Sequence, residues 1–408
     1  METSSKYWKN LRLEFPYLKK NADGVYFDSA ATSHKPQAVI KSVSDFYTNL
    51  NSNVHRSSHK NAEKTTVCFE SSREIMRKFL GAKNKNEIVF TSGATESINL
   101  VASTFVKTRL KKNDVILVSE IEHHSNILPW QELAKKEGLI IKRLPINSDL
   151  TFDLEQFHDI LRREKVGFIS VHHVSNISGA VQNIKKLIRE ARNLDIPVLV
   201  DGAQAGLHVK LNVATLGCDF YCLSGHKLLG PTGTGVLFIK DERQRDMPPY
   251  KFGGSMVQTA SSSSPKWAES PFKFEAGTPN IAGTIGLREA VEFIQRVGLE
   301  KIIQRDSELC SYMQHGLSTI DGLKLYGPEK RSVPIFSFNI KGVHHYDLDT
   351  LLSQKNIMVR SGELCSQGTM KYLNIDGCTR ASLAFYNSFE EIDRFVGAIK
   401  ECVLFLKK

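Results

Sequence analysis

The sequence predicts an α/β protein: a large domain with a mainly parallel seven-stranded sheet covered by helices, followed by a smaller α+β domain. Three observations carry this. Seven short apolar runs alternate with amphipathic stretches between about residues 85 and 240, the pattern of parallel strands joined by helical crossovers. The length of 408 residues exceeds what one hydrophobic core usually serves. From about residue 285 the pattern changes to long helices with isolated strands between them.

Taken in order, the candidate strands are "EIVF", "VILVS", "LIIKRL", "VGFISV", "IPVLVD", "FYCL" and "GVLFIK". Between them lie helical patterns such as "TESINLVASTFVKTRL" and "NIKKLIREARNL". The segment "VQTASSSSPKWAESP" is rich in Ser and Pro and reads as a surface or interface loop. Beyond it come "PIFSFNI", a helix near 347–355, "IMVR", "RASLAF" and a closing helix. The chain is accordingly divided into an N-terminal arm (1–25) packing on the smaller domain, a large domain (26–285) and a small C-terminal domain (286–408) that carries Cys365.

Hydrophobic residues make up 41% and charged residues 24% of the chain, ordinary for a globular protein. "METSSKYWKN" lacks a signal-peptide core and no apolar run is long enough for a bilayer, so the expectation is a cytoplasmic protein without membrane partners. The net charge of +10 permits acidic partners, but the basic residues in "LRREK", "KKLIRE" and "GPEKR" are scattered. A solvated surface explains them better than nucleic-acid binding. Seven cysteines is an odd count, which argues for reduced thiols. Cys218 and Cys222 lie in a strand, and Cys68 and Cys402 in helical patterns; these are packing residues. Cys365 is different, because "VRSGELCSQGTM" is polar, small and loop-like.

In sheets of this kind ligands bind beyond the carboxyl ends of the strands, so the residues there decide the chemistry. "EIVFTSGATESINLVA" is a strand, a glycine turn and a helix; its first-turn amides around Ala94 and Thr95 suit a phosphate, although Ser92 or Thr95 could simply cap the helix. Asp201 ends an apolar strand in "VLVDGAQA", where a carboxylate is costly without a partner. Lys227 follows in "SGHKLLGPTGTG" between Ser224, His226 and three glycines. Pyridoxal 5'-phosphate needs an amine for its aldehyde, a carboxylate for its ring nitrogen and donors for its phosphate, and all three stand at one sheet edge. His124 in "SEIEHHSN" suits stacking and proton transfer, with His123, His172 and His173 as rivals; Asn176 follows another strand. A metal held by histidines and Asp201 is the alternative, without ligand spacing to support it.

The motifs "TSGATESINLVA", "EIEHHSN", "HHVSNISGA", "VDGAQA", "SGHKLLGPTGTG", "FEAGTPNIAGTIGL", "RSGELCSQ" and "RASLAFYNS" resemble, in order, those of SUF-type cysteine desulfurases within the class V aminotransferase fold. The likeness runs from "YFDSAATSHKP" to the last helix. It implies that Lys227 bonds the pyridoxal aldehyde, Asp201 holds the ring nitrogen, His124 stacks on the ring and Gln204 bonds the phenolic oxygen. Thr95, Ser224 and His226 would hold the phosphate, with Thr278 reaching in from the second subunit of a homodimer. Arg380 would clamp the carboxylate of L-cysteine, or of L-selenocysteine, with Asn176, His55 and Arg56 in the same pocket. Cys365 would take the sulfur as a persulfide, in the positive field of Arg360 and Arg380, and pass it to an acceptor protein for iron–sulfur cluster assembly or thiolation.

Family members commonly show histidine before this cysteine and proline after it; here stand Glu363, Leu364 and Gly368. Glu363 would tend to raise the thiol's pKa, and Gly368 would loosen the loop. Rival readings are a selenocysteine lyase, or an aminotransferase or other lyase that does not use Cys365. A protein that binds nucleic acid through its positive charge is the reading from another class.

Overall fold

A computed structural model describes residues 2–260 and 264–407. All seven strands of the large sheet form where the apolar runs lie: β1 (Ile88–Thr91), β2 (Val115–Ser119), β3 (Ile140–Leu144), β4 (Val166–His172), β5 (Val198–Asp201), β6 (Phe220–Ser224) and β7 (Gly235–Ile239). Their order across the sheet is β1-β7-β6-β5-β4-β2-β3. Every pairing is parallel except those of β7, which runs against both β1 and β6. The carboxyl ends of the other strands therefore share one edge, and β7 begins there.

Alternating side chains enter two different cores, as a pleated strand buried on both faces requires. Leu117, Ile169, Val171, Val198, Val200 and Leu223 pack on one side with helices Ile184–Arg192 and Ile281–Val297. Ile116, Val118, Phe168, Leu199, Phe220 and Leu237 pack on the other, under helices Ala94–Val101 and Leu128–Glu137. One glycine at the functional edge is needed by close approach: a Cβ on Gly235 would lie 2.4 Å from the Gly93 Cα. Only there can the start of β7 meet the turn after β1.

A second, antiparallel sheet has the order β8-β9-β11-β10, with β8 (Leu323–Tyr326), β9 (Ile335–Ile340), β10 (Arg360–Gly362) and β11 (Cys378–Ser382). Phe336, Phe338 and Ala381 pack beneath helices Leu299–Ser318, His345–Gln354 and Phe389–Leu406 through Leu309, Leu352 and Ile399. From the opposite face the Ser337 hydroxyl donates to the Ile177 carbonyl at 2.6 Å, joining this sheet to the loop after β4. At the N-terminus Arg12 makes a two-pronged pair with Glu391 at 2.8 and 3.1 Å, and Val25–Tyr26 pairs in parallel with Ile357–Met358.

The serine-rich stretch read as a loop contains a short hairpin, Val257–Thr259 against Lys266–Trp267; Ser261–Ser263 at its turn lie outside the described residues. Among the described residues no helix is long and apolar enough to cross a membrane.

Candidate active site

A cavity of about 300 Å³ opens at the carboxyl edge of the large sheet, and Asp201 and Lys227 both line it. Asp201 is buried at the end of β5, and its Oδ1 accepts a hydrogen bond from the Ala203 amide at 2.9 Å. Burial pushes its carboxyl above the ordinary range, with only partial compensation from Lys227; among the described residues no ion pair relieves it. Burial pulls the Lys227 amine down to about 8, against the opposing pull of Asp201. A buried acid and a buried amine, each short of its charge, are groups poised for a ligand that supplies the missing interactions.

The turn after β1 and the segment after β6 meet through the Ala94 amide, which donates to the Ser224 hydroxyl at 3.0 Å. Thr95 and Ser125 hydroxyls are 2.7 Å apart at the same wall. His226 and His123 also line the cavity, and burial drives each ring down to about 4. Behind them the buried Glu122 carboxylate accepts from the His172 ring nitrogen Nδ1 at 2.9 Å and the Asn126 amide at 2.7 Å. Burial would raise Glu122, but these partners outweigh it and hold it below the usual range.

On the side of the second sheet, Arg360 and Arg380 stand directly opposite each other on β10 and β11. Like charges so placed repel. Asp28 lies between them: its carboxylate accepts from Arg360 Nη2 at 2.8 Å and from Arg380 Nη2 at 3.0 Å. Arg380 Nη1 donates to the Asn176 carbonyl at 3.1 Å, while its buried Nε has no partner.

Cys365 is the one exposed cysteine of seven free thiols. It and Leu364 both adopt left-handed backbone, with φ of 55° and 54°. Such strain persists only where surrounding contacts fix it. Here the His124 amide donates to the Cys365 carbonyl at 2.9 Å, the Asn176 side-chain amide donates to the Leu364 carbonyl at 3.1 Å, and the Leu364 side chain is buried. The Cys365 thiol lies close enough to act electrostatically on Lys227.

The model of the aminotransferase class-V family matches residues 25–395. The chain belongs to the class-V aminotransferase family. It is 41% identical over 399 residues to a probable cysteine desulfurase of Xylella fastidiosa, covering 97% of this chain and 95% of that protein. The apo structure of a cysteine desulfurase from Thermococcus onnurineus NA1 superposes with a TM-score of 0.92, at 36% identity over 97% of this chain and 98% of the other. An Escherichia coli cysteine desulfurase in an S-sulfonic acid form gives a TM-score of 0.90, at 35% identity over 98% of both chains.

Set against this class-V site, most residues expected from the sequence come together: Ala94, Thr95, Asn176, Asp201, Gln204, Ser224, His226, Lys227, Arg360 and Arg380 all line the cavity. They fit pyridoxal phosphate. Burial holds the acid at raised pKa and depresses the amine, and the Ser224 and Thr95 hydroxyls stand with the Ala94 amide at one wall. Gln204 gives one amide hydrogen to the Ala30 carbonyl at 2.7 Å and keeps a second.

Three expectations need correction. His123, not His124, lines the cavity; His124 instead holds the Cys365 segment from behind, since its turn (His124–Asn126) directs the His123 ring inward. His55 and Arg56, expected in the same pocket, do not line this chain's cavity; Thr278, expected from a second subunit, does not line it either. His55 pairs with Glu70 at 2.9 Å and packs on Phe272, and Asn53 donates to Thr278 at 3.5 Å. Gly368 does not loosen its loop: an added Cβ would come within 2.8 Å of the Glu120 carbonyl, so glycine is what lets the segment dock. The Glu363 carboxylate is occupied by the Gln367 amide at 2.7 Å.

Asp28, Ser125 and Glu122 were not picked out from the sequence. "YFDSAA" offered a signal for Asp28, a lone acid after an aromatic pair, but its partners lie more than 330 positions away.

Proposed function

We propose that this chain is a pyridoxal-phosphate-dependent cysteine desulfurase that converts L-cysteine to L-alanine and passes the sulfur to Cys365 as a persulfide. One observation carries the reading: an exposed thiol fixed in strained backbone beside a cavity that buries Lys227 and Asp201. An aminotransferase would have no use for it.

Bound in the cavity, pyridoxal phosphate would supply an electron-poor ring to take up the electron pair left when the substrate's Cα loses its proton. Lys227, with its amine near 8, is the base for that proton. Asp201 would keep positive charge on the ring nitrogen, and Ala94, Thr95, Ser224 and His226 would hold the phosphate. His123, which lines the cavity with its ring pulled down to about 4 by burial, would meet the cofactor neutral at pH 7, adding no charge. Arg380 takes the substrate carboxylate on donors that include its unpartnered Nε. The Cys365 thiolate attacks the substrate sulfur: an S–S bond forms and the substrate's C–S bond breaks. The electron pair of the broken bond stays with carbon, which takes up a proton and becomes the alanine methyl.

The reading extends to a homodimer, in which His55, Arg56 and Thr278 would complete the cavity of a second copy; that they do not line this chain's own cavity supports it. The division into arm, large domain and small domain at 25 and 285 is part of the same proposal, supported by the separate core beneath the second sheet. From Cys365 the sulfur would pass to an acceptor protein in the cytoplasm, for iron–sulfur cluster assembly or thiolation. Seven unpaired cysteines support a reducing compartment.

The test is mass spectrometry of the Cys365 peptide after incubation with L-cysteine without reductant. A gain of one sulfur, absent in Lys227→Ala and in Cys365→Ala, is expected. An unmodified Cys365 in a protein that still binds its cofactor through Lys227 would overturn the proposal in favour of a lyase or aminotransferase.

A further inference from the structure

The two guanidiniums at the cavity are not equivalent. Arg360 gives Nε and Nη2 to the Asp28 carboxylate, at 3.1 and 2.8 Å, in a two-pronged pair. Arg380 gives Asp28 a single bond at 3.0 Å and keeps its buried Nε without a partner. Among the described residues Asp28 is the only carboxylate paired with either arginine.

Its position is set by backbone, not by a mobile side chain. The chain at Val25–Tyr26 pairs with Ile357–Met358, just before Arg360, and Asp28 bridges to Ser382, just after Arg380. Three chain segments therefore fix the acid between the two bases. The arginines face each other across β10 and β11, so without the acid two positive charges would meet with no counter-charge.

We propose that Asp28 is a specificity-determining residue: by occupying Arg360 it leaves one anion seat, at Arg380, and restricts the site to amino acids whose only anion is the α-carboxylate. This rests on the reading of Arg380 as the carboxylate clamp. A substrate with a neutral β-substituent meets an already neutralised Arg360. One with a β-anion meets the Asp28 carboxylate and is repelled. With Asp28 neutral, Arg360 becomes a second anion seat, because a guanidinium binds carboxylates through two parallel bonds.

The experiment compares L-aspartate with L-asparagine, which share shape and differ by one charge, as competitive inhibitors of L-cysteine turnover by the holoenzyme. The same pair is titrated through the cofactor absorbance, and succinate against succinamate is titrated by thermal shift of cofactor-free protein. In Asp28→Asn the preference for the diacid over its amide should rise by about tenfold or more. The double variant D28N/R360Q should return to the wild-type ratio, since the new seat is Arg360. An unchanged ratio in D28N overturns the proposal, as does a gain that survives removal of Arg360. Equal loss of both ligands in D28N would also overturn it, making Asp28 a positioning residue for Arg380. The cofactor-free titration stands even if L-cysteine proves not to be a substrate, so failure of the desulfurase reading is told apart from failure of this one.

Discussion

Asn176→Ala tests whether the Cys365 segment is held in place or rests there by itself. Leu364 and Cys365 both lie in left-handed backbone, at a cost of roughly 1–2 kcal/mol each for residues with a side chain. Against this stand the bond from His124, the burial of Leu364 and the bond from Asn176 to the Leu364 carbonyl. Removing the amide deletes that bond and a longer one at 3.3 Å from the Ser366 hydroxyl to the Asn176 Oδ1, and leaves the Leu364 carbonyl without its donor, about 1–2 kcal/mol together. The segment should then open about 5 to 30 times more often. Arg380 bonds the Asn176 backbone carbonyl, which alanine retains, so the carboxylate clamp stays in place. The assay is hydrogen exchange of residues 363–368, with the alkylation rate of Cys365 as a second reading. Exchange rates equal to wild type would refute the argument that these bonds hold the strain.

Three further outcomes follow from charge and space. The Lys227 amine must be neutral to react with an aldehyde, so the loading rate of cofactor-free protein with pyridoxal phosphate should rise with pH and level off near 8; a break above 10 would mean that burial does not depress it. Bonds from His55 and Arg73 outweigh burial and hold Glu70 at about 2. A depressed carboxyl stabilises the fold above its unfolded value of about 4.3 and loses that contribution as pH falls toward 2. Glu70→Gln should therefore flatten the fall of the urea midpoint over that window, and coincident wild-type and variant curves would refute it. Gly235→Ala forces a Cβ against the Gly93 backbone and should cost about 1–3 kcal/mol; an unaltered thermal midpoint would show that the edge yields.

The large sheet was legible because each of its strands is an unbroken apolar run between turn residues, and burial on both faces demands such runs. The cavity edge was legible for the same reason: Asp201 and Lys227 are charges set at or just beyond the end of an apolar strand. What local pattern could not supply was direction. His123 and His124 differ only in which one a short turn aims inward. The role of Asp28 depends on pairings with residues 357 and 382. Gly368 read as slack until the Glu120 carbonyl was found against it.

Only four residues, 363–366, separate β10 from the helix Gln367–Leu373, and both ends of that span are held in secondary structure. Fully extended, four residues cover roughly 14 Å, so a loop closed at both ends can carry its thiol only a few ångströms. Cys365 is thus a fixed berth and not a swinging arm. If Cys365 carries the sulfur as proposed, whatever collects it would have to travel to it, present its own nucleophile at the opening and tolerate the contours it finds there. On that proposal the burden of reach, and with it the choice among recipients, would fall on the visiting protein.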